Sequence, residues 1–257
     1  MVARLDRPER LNAITFEMFD EFMRLQGEVE SDAAARVVVL TGTGRAFCAG
    51  LDLDVAGTLP GMPAAEMLAG QESWARSIAG FRHMTKPVLA AVNGAAAGAS
   101  MALVLAADIR FAATSARFNA AFVRIGLSGD DVGTSWALPR LVGLSRAYEI
   151  LLTGHFVEAD EALRIGLVTD VVPPDQLLDR TLETARMIVG NSPVGMALTK
   201  QVVQTTKQVV QTNVDAPSLE AALALENRNQ VLATRTDDMV KALTAFREKR
   251  NPTYRGH

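Results

Sequence analysis

The stretch "GLSGDDVGTSW", Gly126 to Trp136, sets two adjacent acids, Asp130 and Asp131, in a glycine-rich segment with apolar sequence on both sides. Solubility alone would be served by Ser or Asn. A carboxylate held beside an apolar pocket has its pKa raised by desolvation, which makes it a usable base. The competing structural role is an Asp capping a helix that starts over Val132-Gly133-Thr134. One acid serves a cap; the second is left over.

A base needs an acidic substrate, and two other stretches offer the means to make one. In "VVVLTGTGRAFCAGLDL" a β-branched run enters a small-residue turn that exposes the N–H groups of Ala49, Gly50 and Leu51. The dinucleotide pattern G-x-G-x-x-G is absent, and so is the Lys-Ser/Thr ending of a phosphate-cradling loop. In "NGAAAGASMALVLAAD" a turn of Gly and Ala leads into a helix whose dipole and free N–H groups point at one spot. For either stretch alone, tight packing is as good an explanation. Two donor turns, each following a strand of one parallel sheet, make a two-point oxyanion hole the better reading.

The elements that must hold these turns follow from periodicity. "RVVVLTG" (Arg36 to Gly42), "PVLAAVNG" (Pro87 to Gly94), "IRFAAT" and "LVTDVV" read as buried strands. Met18, Phe19, Phe22, Met23 and Leu25 recur at helical spacing, with Thr15 as the N-cap. "ASMALVLAAD" reads as a helix buried all round. "SRAYEILLTG" and "EADEALRIG" are helices stopped by Gly154 and Gly166, and "PDQLLDRTLETARMIVG" is an amphipathic one. Strands alternating with helices imply an α/β core. "GTLPGMPAAEM" reads as a loop. From Pro193 the pattern is nearly all helical, and "KQVVQTTKQVVQT" (Lys200 to Thr212) repeats a Val pair every seven residues. The expected division is residues 1–195 as the core and 196–257 as a helical region with an oligomer-forming face.

Composition narrows the classes. The 257 residues carry a net charge of −3, which argues against a nucleic-acid partner. A single cysteine, Cys48, excludes an internal disulfide and fits a reducing, cytoplasmic setting. "MVARLDRPER" is too charged for a signal peptide's apolar segment. Pro87 to Ala107 holds no charge, yet Pro87, Asn93-Gly94 and Gly98 interrupt it, so it reads as core and not as a membrane span. No His/Cys/Asp group has metal-ligand spacing. His83 and His155 read as surface residues and Glu149 as a structural acid.

"RPERLNAI", "TGTGRAFCAGLDL", "KPVLAAVNGAAAGASMALVLAADIRFA", "YEILLTGHFVEADEALRIGLVTDVV" and the tail "FREKRNP" together resemble the enoyl-CoA hydratase/isomerase (crotonase) family, in order and over essentially the whole chain. The resemblance implies a ββα spiral core with a C-terminal helical trimerisation region, and trimers or hexamers. It implies an acyl-CoA thioester substrate and no cofactor beyond the coenzyme A that the substrate carries. The thioester carbonyl would lie between the N–H groups of Leu51 and Ala99. Substrate contacts are expected at Arg10, Ala13, Ala49, Asp52, Leu53, Phe122, Trp136 and Lys249, with Arg10, Arg45, Lys249 and Arg250 available to the CoA phosphates.

The chain departs from the hydratases it resembles. Their two glutamates correspond to Ala102 and Phe122, neither of which transfers a proton. Isomerising and dehalogenating relatives place an aspartate ahead of a pattern like "DVGTSWALPR", which here matches Asp131, with Asp130 as the competing assignment. Double-bond isomerisation with Asp131 as base is therefore expected. The alternatives are hydration by rearranged acids (Asp130, Asp131 or Glu149) and a binding protein that holds acyl-CoA without turning it over.

Overall fold

A computed structural model describes residues 1–125, 127–128, 131–204, 237–238, 241, 244–245, 248, 250 and 253–255. Residues 1–84 and 88–182 make one compact unit, and residues 85–87 and 183–257 a second.

In the first unit the chain repeatedly lays down two short strands and then a helix. Strands β1 (Val2–Leu5), β2 (Val38–Gly42), β4 (Val88–Val92), β6 (Ile109–Ala113) and β9 (Asp170–Val172) form a five-stranded sheet in that order, parallel throughout. Strands β3 (Ala46–Cys48), β5 (Ala95–Ala97), β7 (Arg117–Asn119) and β8 (Val157–Glu158) form a second sheet, parallel except for the β7–β8 pair. Each passage β2–β3, β4–β5 and β6–β7 thus gives one strand to each sheet, the ββα spiral that the motifs implied.

Burial explains the strand sequences. Every residue of β2 and β4 is buried, so "VVLTG" and "VLAAV" show no alternation: both faces are covered. Helix α1 (Phe16–Ser31) packs on α3 (Ala64–His83), burying Met18, Phe19, Phe22 and Val29 against Ile78 and Phe81. Thr15 occupies the N-cap position of α1, but its side chain makes no capping hydrogen bond to the helix. All eight residues of α4 (Ala99–Ala106) are buried. The uncharged run from Pro87 to Ala107 is therefore two strands and a core helix. Among the described residues, no helix is long and apolar enough to cross a membrane.

Short helix α2 (Leu53–Ala56) precedes the stretch that reads as a loop in sequence, and a 3₁₀ turn at Leu59–Gly61 and the first residues of α3 occupy it. Alanines and Met67 support helix there once Pro63 has opened it. Helices α5 (Thr134–Val142), α6 (Leu144–Thr153) and α7 (Ala159–Arg164) follow. Gly154 takes the left-handed conformation that ends α6. Helix α8 (Leu177–Val189) begins three residues after Pro174, and α9 (Pro193–Gln204) belongs to the second unit, where Lys200 Nζ donates to Lys86 O at 2.8 Å. Most of the tandem repeat from Lys200 to Thr212 lies outside the described residues.

Candidate active site

The site begins with an amide that its own ladder leaves over. Ile14 and Leu51 form an isolated parallel bridge, in which Ile14 N donates to Gly50 O at 2.7 Å and Asp52 N donates to Ile14 O at 2.8 Å. The residue between those bonds turns its own N–H to the opposite side. There, strand β5 has ended after Ala97 and α4 has begun. Among the described residues, no hydrogen bond takes up Leu51 N. The other two amides of the turn are engaged, contrary to the sequence reading. Ala49 N donates to Leu11 O at 3.0 Å, and Gly50 N lies 3.4 Å from Cys48 Sγ.

The second amide, Ala99 N, sits at the first position of α4, where a helix has no internal acceptor for it. Gly98 before it has φ 54° and ψ −126°, a conformation a side chain would strain. The two turns abut. A Cβ built on Gly50, itself at φ 93°, would fall 2.6 Å from Ala97 O and 3.7 Å from Ala99 N. Ser100 Oγ ties them, donating to Cys48 O at 2.6 Å in the core.

The first turn is braced from the N-terminal side. Buried Asn12, at φ 57°, donates through Nδ2 to Thr43 O, Ala46 O and Phe47 O at 2.9, 2.9 and 3.2 Å. Buried Asp52 caps α2 by accepting from Asp54 N at 3.1 Å, and it pairs with Arg10 at 2.8 Å and Arg7 at 3.2 Å. The hydrogen bond from Arg10 is the largest cause that brings the Asp52 carboxyl down to about 2. Arg10, expected at a CoA phosphate, here has its charge met by Asp52 and Asp54.

Both amide turns open on a cavity of about 420 Å³. Of the expected substrate contacts, Ala49, Leu51, Leu53, Ala99, Phe122 and Asp131 line it. Leu53, 74% exposed, stands at its mouth. Arg10, Ala13, Asp52 and Trp136 are not lining residues. Trp136 lies instead between two guanidinium groups, Arg82 at 4.9 Å and Arg140 at 4.2 Å from its ring. Asp130 and Lys249 fall outside the described residues. Ala102 is buried in the core, away from the lining.

Asp131 opens a 3₁₀ turn, Asp131–Gly133, ahead of α5. It is not the cap of that helix: Gly133 takes the N-cap position, with no side-chain capping bond. The Asp131 Oδ1 atom accepts from Val132 N at 2.8 Å and from Gln71 Nε2. Val132 adopts φ 43°, ψ 35°, left-handed backbone that is rare for a β-branched residue. Among the described residues that line the cavity, Asp131 alone carries an ionisable side chain.

Sequence reasoning did not single out the residues of the α3 wall. Gln71 and Trp74, one turn apart on α3, both line the cavity. The Trp74 ring stacks on Phe16 at 4.7 Å and Phe19 at 5.9 Å. It also crowds Gly70, where an added Cβ would meet the ring at 2.8 Å. The i, i+3 spacing of Gln71 and Trp74 was visible in the sequence, but nothing local distinguished it from a solvated face. Cys48 is wholly buried and its thiol is pushed up to about 11 by desolvation, so it is no nucleophile. Among the described residues no group of His, Cys, Asp and Glu could hold a metal ion. His155 bonds Thr153 Oγ1 at 2.7 Å, and Glu149 pairs with Arg146 at 2.5 Å on the exposed face of α6.

Two strands to two sheets, then a helix whose N-terminus faces a neighbouring turn, is the crotonase fold. The chain superposes on enoyl-CoA hydratase from Bacillus anthracis with a TM-score of 0.90 at 31% identity, covering 100% of this chain and 95% of that one. It matches a monofunctional enoyl-CoA isomerase from M. smegmatis at 40% identity and a TM-score of 0.69, covering 86% and 92%. A Mycobacterium tuberculosis protein named "Probable enoyl-CoA hydratase" is 40% identical over 255 residues, 97% of this chain and 87% of that protein. The family model described as Enoyl-CoA hydratase/isomerase matches residues 1–257. The chain belongs to the enoyl-CoA hydratase/isomerase family, whose members act on acyl-CoA thioesters.

Proposed function

We propose that this protein moves the double bond of an enoyl-CoA, converting 3-enoyl-CoA to conjugated 2-enoyl-CoA with Asp131 as the base. The thioester oxygen accepts hydrogen bonds from Leu51 N and Ala99 N. Asp131 removes a proton from Cα, and the C–H electron pair enters the dienolate, with its negative charge on the held oxygen. The same carboxyl then returns the proton to the carbon at the far end of the dienolate, and the carbonyl reforms. The amides and the positive end of α4 stabilise the developing oxyanion. Loss of one such donor typically costs about 3–4 kcal/mol of barrier.

The observation that carries this reading is the single ionisable group in the cavity lining among the described residues. One base suffices for a proton shuttle between carbons. Hydration in the relatives uses two glutamates, and the residues that match them here are buried Ala102 and cavity-lining Phe122. The acyl group rests against Phe19, Met67, Trp74 and Phe122, and Ala13, Arg10 and Lys249 remain proposed contacts for the CoA portion. The active form is a cytoplasmic homotrimer or hexamer assembled through the C-terminal helical region, needing no cofactor beyond the substrate's coenzyme A. Light scattering measures that assembly.

The test presents purified protein with 3-enoyl-CoA and 2-enoyl-CoA separately. Gain of conjugated-enoyl absorbance from the first, with no 3-hydroxyacyl-CoA from the second, is the expected result. Formation of 3-hydroxyacyl-CoA overturns the proposal in favour of hydration. Tight binding without product from either makes the protein a carrier.

A further inference from the structure

We infer that Gln71 is a positioning residue for the base, an inference that rests on Asp131 having that role. Two donors converge on one atom, Asp131 Oδ1: the main-chain N–H of Val132 at 2.8 Å and the Gln71 side-chain amide. An ionised carboxylate only accepts hydrogen bonds, so Gln71 must present its nitrogen to it.

The two donors come from different elements. Val132 belongs to the 3₁₀ turn that holds Asp131, and its N–H donates back to the carboxylate it follows. Gln71 reaches across the cavity wall from α3, the helix that also presents Trp74 to the substrate space. The turn and α3 thus reach the same oxygen from two separate elements. A second donor on the same oxygen fixes the plane of the group and hence the direction of the other oxygen. It also stabilises the ionised form, keeping the base deprotonated to lower pH in an apolar cavity that opposes charge. Gln71 does both without carrying a proton-transfer group of its own.

Three variants test this on the full-length protein, by isomerisation of 3-enoyl-CoA across pH. Gln71→Met keeps the side chain's length and removes the donor. It is expected to lower kcat about tenfold, the scale of one lost hydrogen bond to a charged group. KM should stay within about twofold, and the acidic limb of the kcat/KM profile should move to higher pH. Gln71→Glu, which places a second carboxyl against Oδ1, should move that limb further in the same direction. A Gln71→Met enzyme with the wild-type kcat and limb, or one whose loss lies wholly in KM or thermal stability, overturns the inference. Asp131→Asn separates the two levels. If it is inactive while Gln71→Met is normal, only the role of Gln71 fails; if it remains active, the base assignment fails.

Discussion

Substituting Gly50 by Ala tests the paired amides most directly. The added carbon would sit 2.6 Å from Ala97 O. That is about 0.7 Å inside the roughly 3.3 Å at which a carbon and a carbonyl oxygen normally meet. Both partners are main chain, so no side chain can swing aside; the turn or the end of β5 must move. The residue also holds φ 93°, which costs a side chain about 1–3 kcal/mol. Oxyanion donors act at about 2.7–3.1 Å, so a displacement of that size between the Leu51 and Ala99 turns takes one donor out of reach. The expected loss is about 10²–10³ in kcat. The melting temperature should fall by several degrees, at roughly 2–4 °C per kcal/mol for a chain of this size. Gly61→Ala, where an added Cβ meets nothing within 4 Å, is the control. Steady-state isomerisation and thermal denaturation on both variants decide the matter. A folded Gly50→Ala enzyme with kcat within about threefold of wild type would refute the two-amide geometry.

Asp131→Asn should reduce turnover by at least about 10³-fold while acyl-CoA affinity, measured calorimetrically, stays within a few-fold. Ser100→Ala removes the buried bond to Cys48 O, an expected loss of about 0.5–1.5 kcal/mol, visible as a lower denaturation midpoint. The Asp52 carboxyl, lowered from 3.8 to about 2, favours the folded state when ionised. Its contribution is complete above about pH 4 and fades as pH falls towards 2. Wild type should therefore be more stable than Asp52→Asn near neutrality, with the gap narrowing across that acid window. A gap independent of pH would contradict the ion-pair assignment.

The fold was legible because its strands and helices announce themselves locally. "VVLTG" and "VLAAV" carry no charge and no alternation because both sheet faces are covered, and "ASMALVLA" carries no charge because no side of α4 meets water. The amide turns were legible as small-residue runs, but it was the family resemblance, and no local pattern, that singled out Leu51 from Ala49 and Gly50. Which amide is left over depends on Ile14 pairing with both neighbours of Leu51 from 37 positions away, a tertiary fact with no local trace. The residues of the α3 wall could not be singled out for the same reason. Gln71 and Trp74 look like part of any polar helix until Asp131 and the α1 aromatics arrive opposite them. Arg10 shows the reverse case, since a cation near a motif does not reveal in sequence that Asp52 and Asp54 pair with it.

The carboxylate loop shows how a site departs from local rules. A capping Asp would accept an N–H from the first turn of α5, yet Asp131 accepts from Val132 and Gln71 while Gly133 takes the cap position without a side-chain bond. Val132 stands in left-handed backbone that glycine would adopt more cheaply. Such strain persists only where surrounding contacts over-determine it, and it concentrates at sites that use the resulting geometry. Here the consequence is an Asp131 that lines the cavity instead of capping α5, in the same lining as the Leu51 and Ala99 turns. A loop optimised for α5 would have used the acid as its cap and left the cavity lining, among the described residues, with no ionisable side chain.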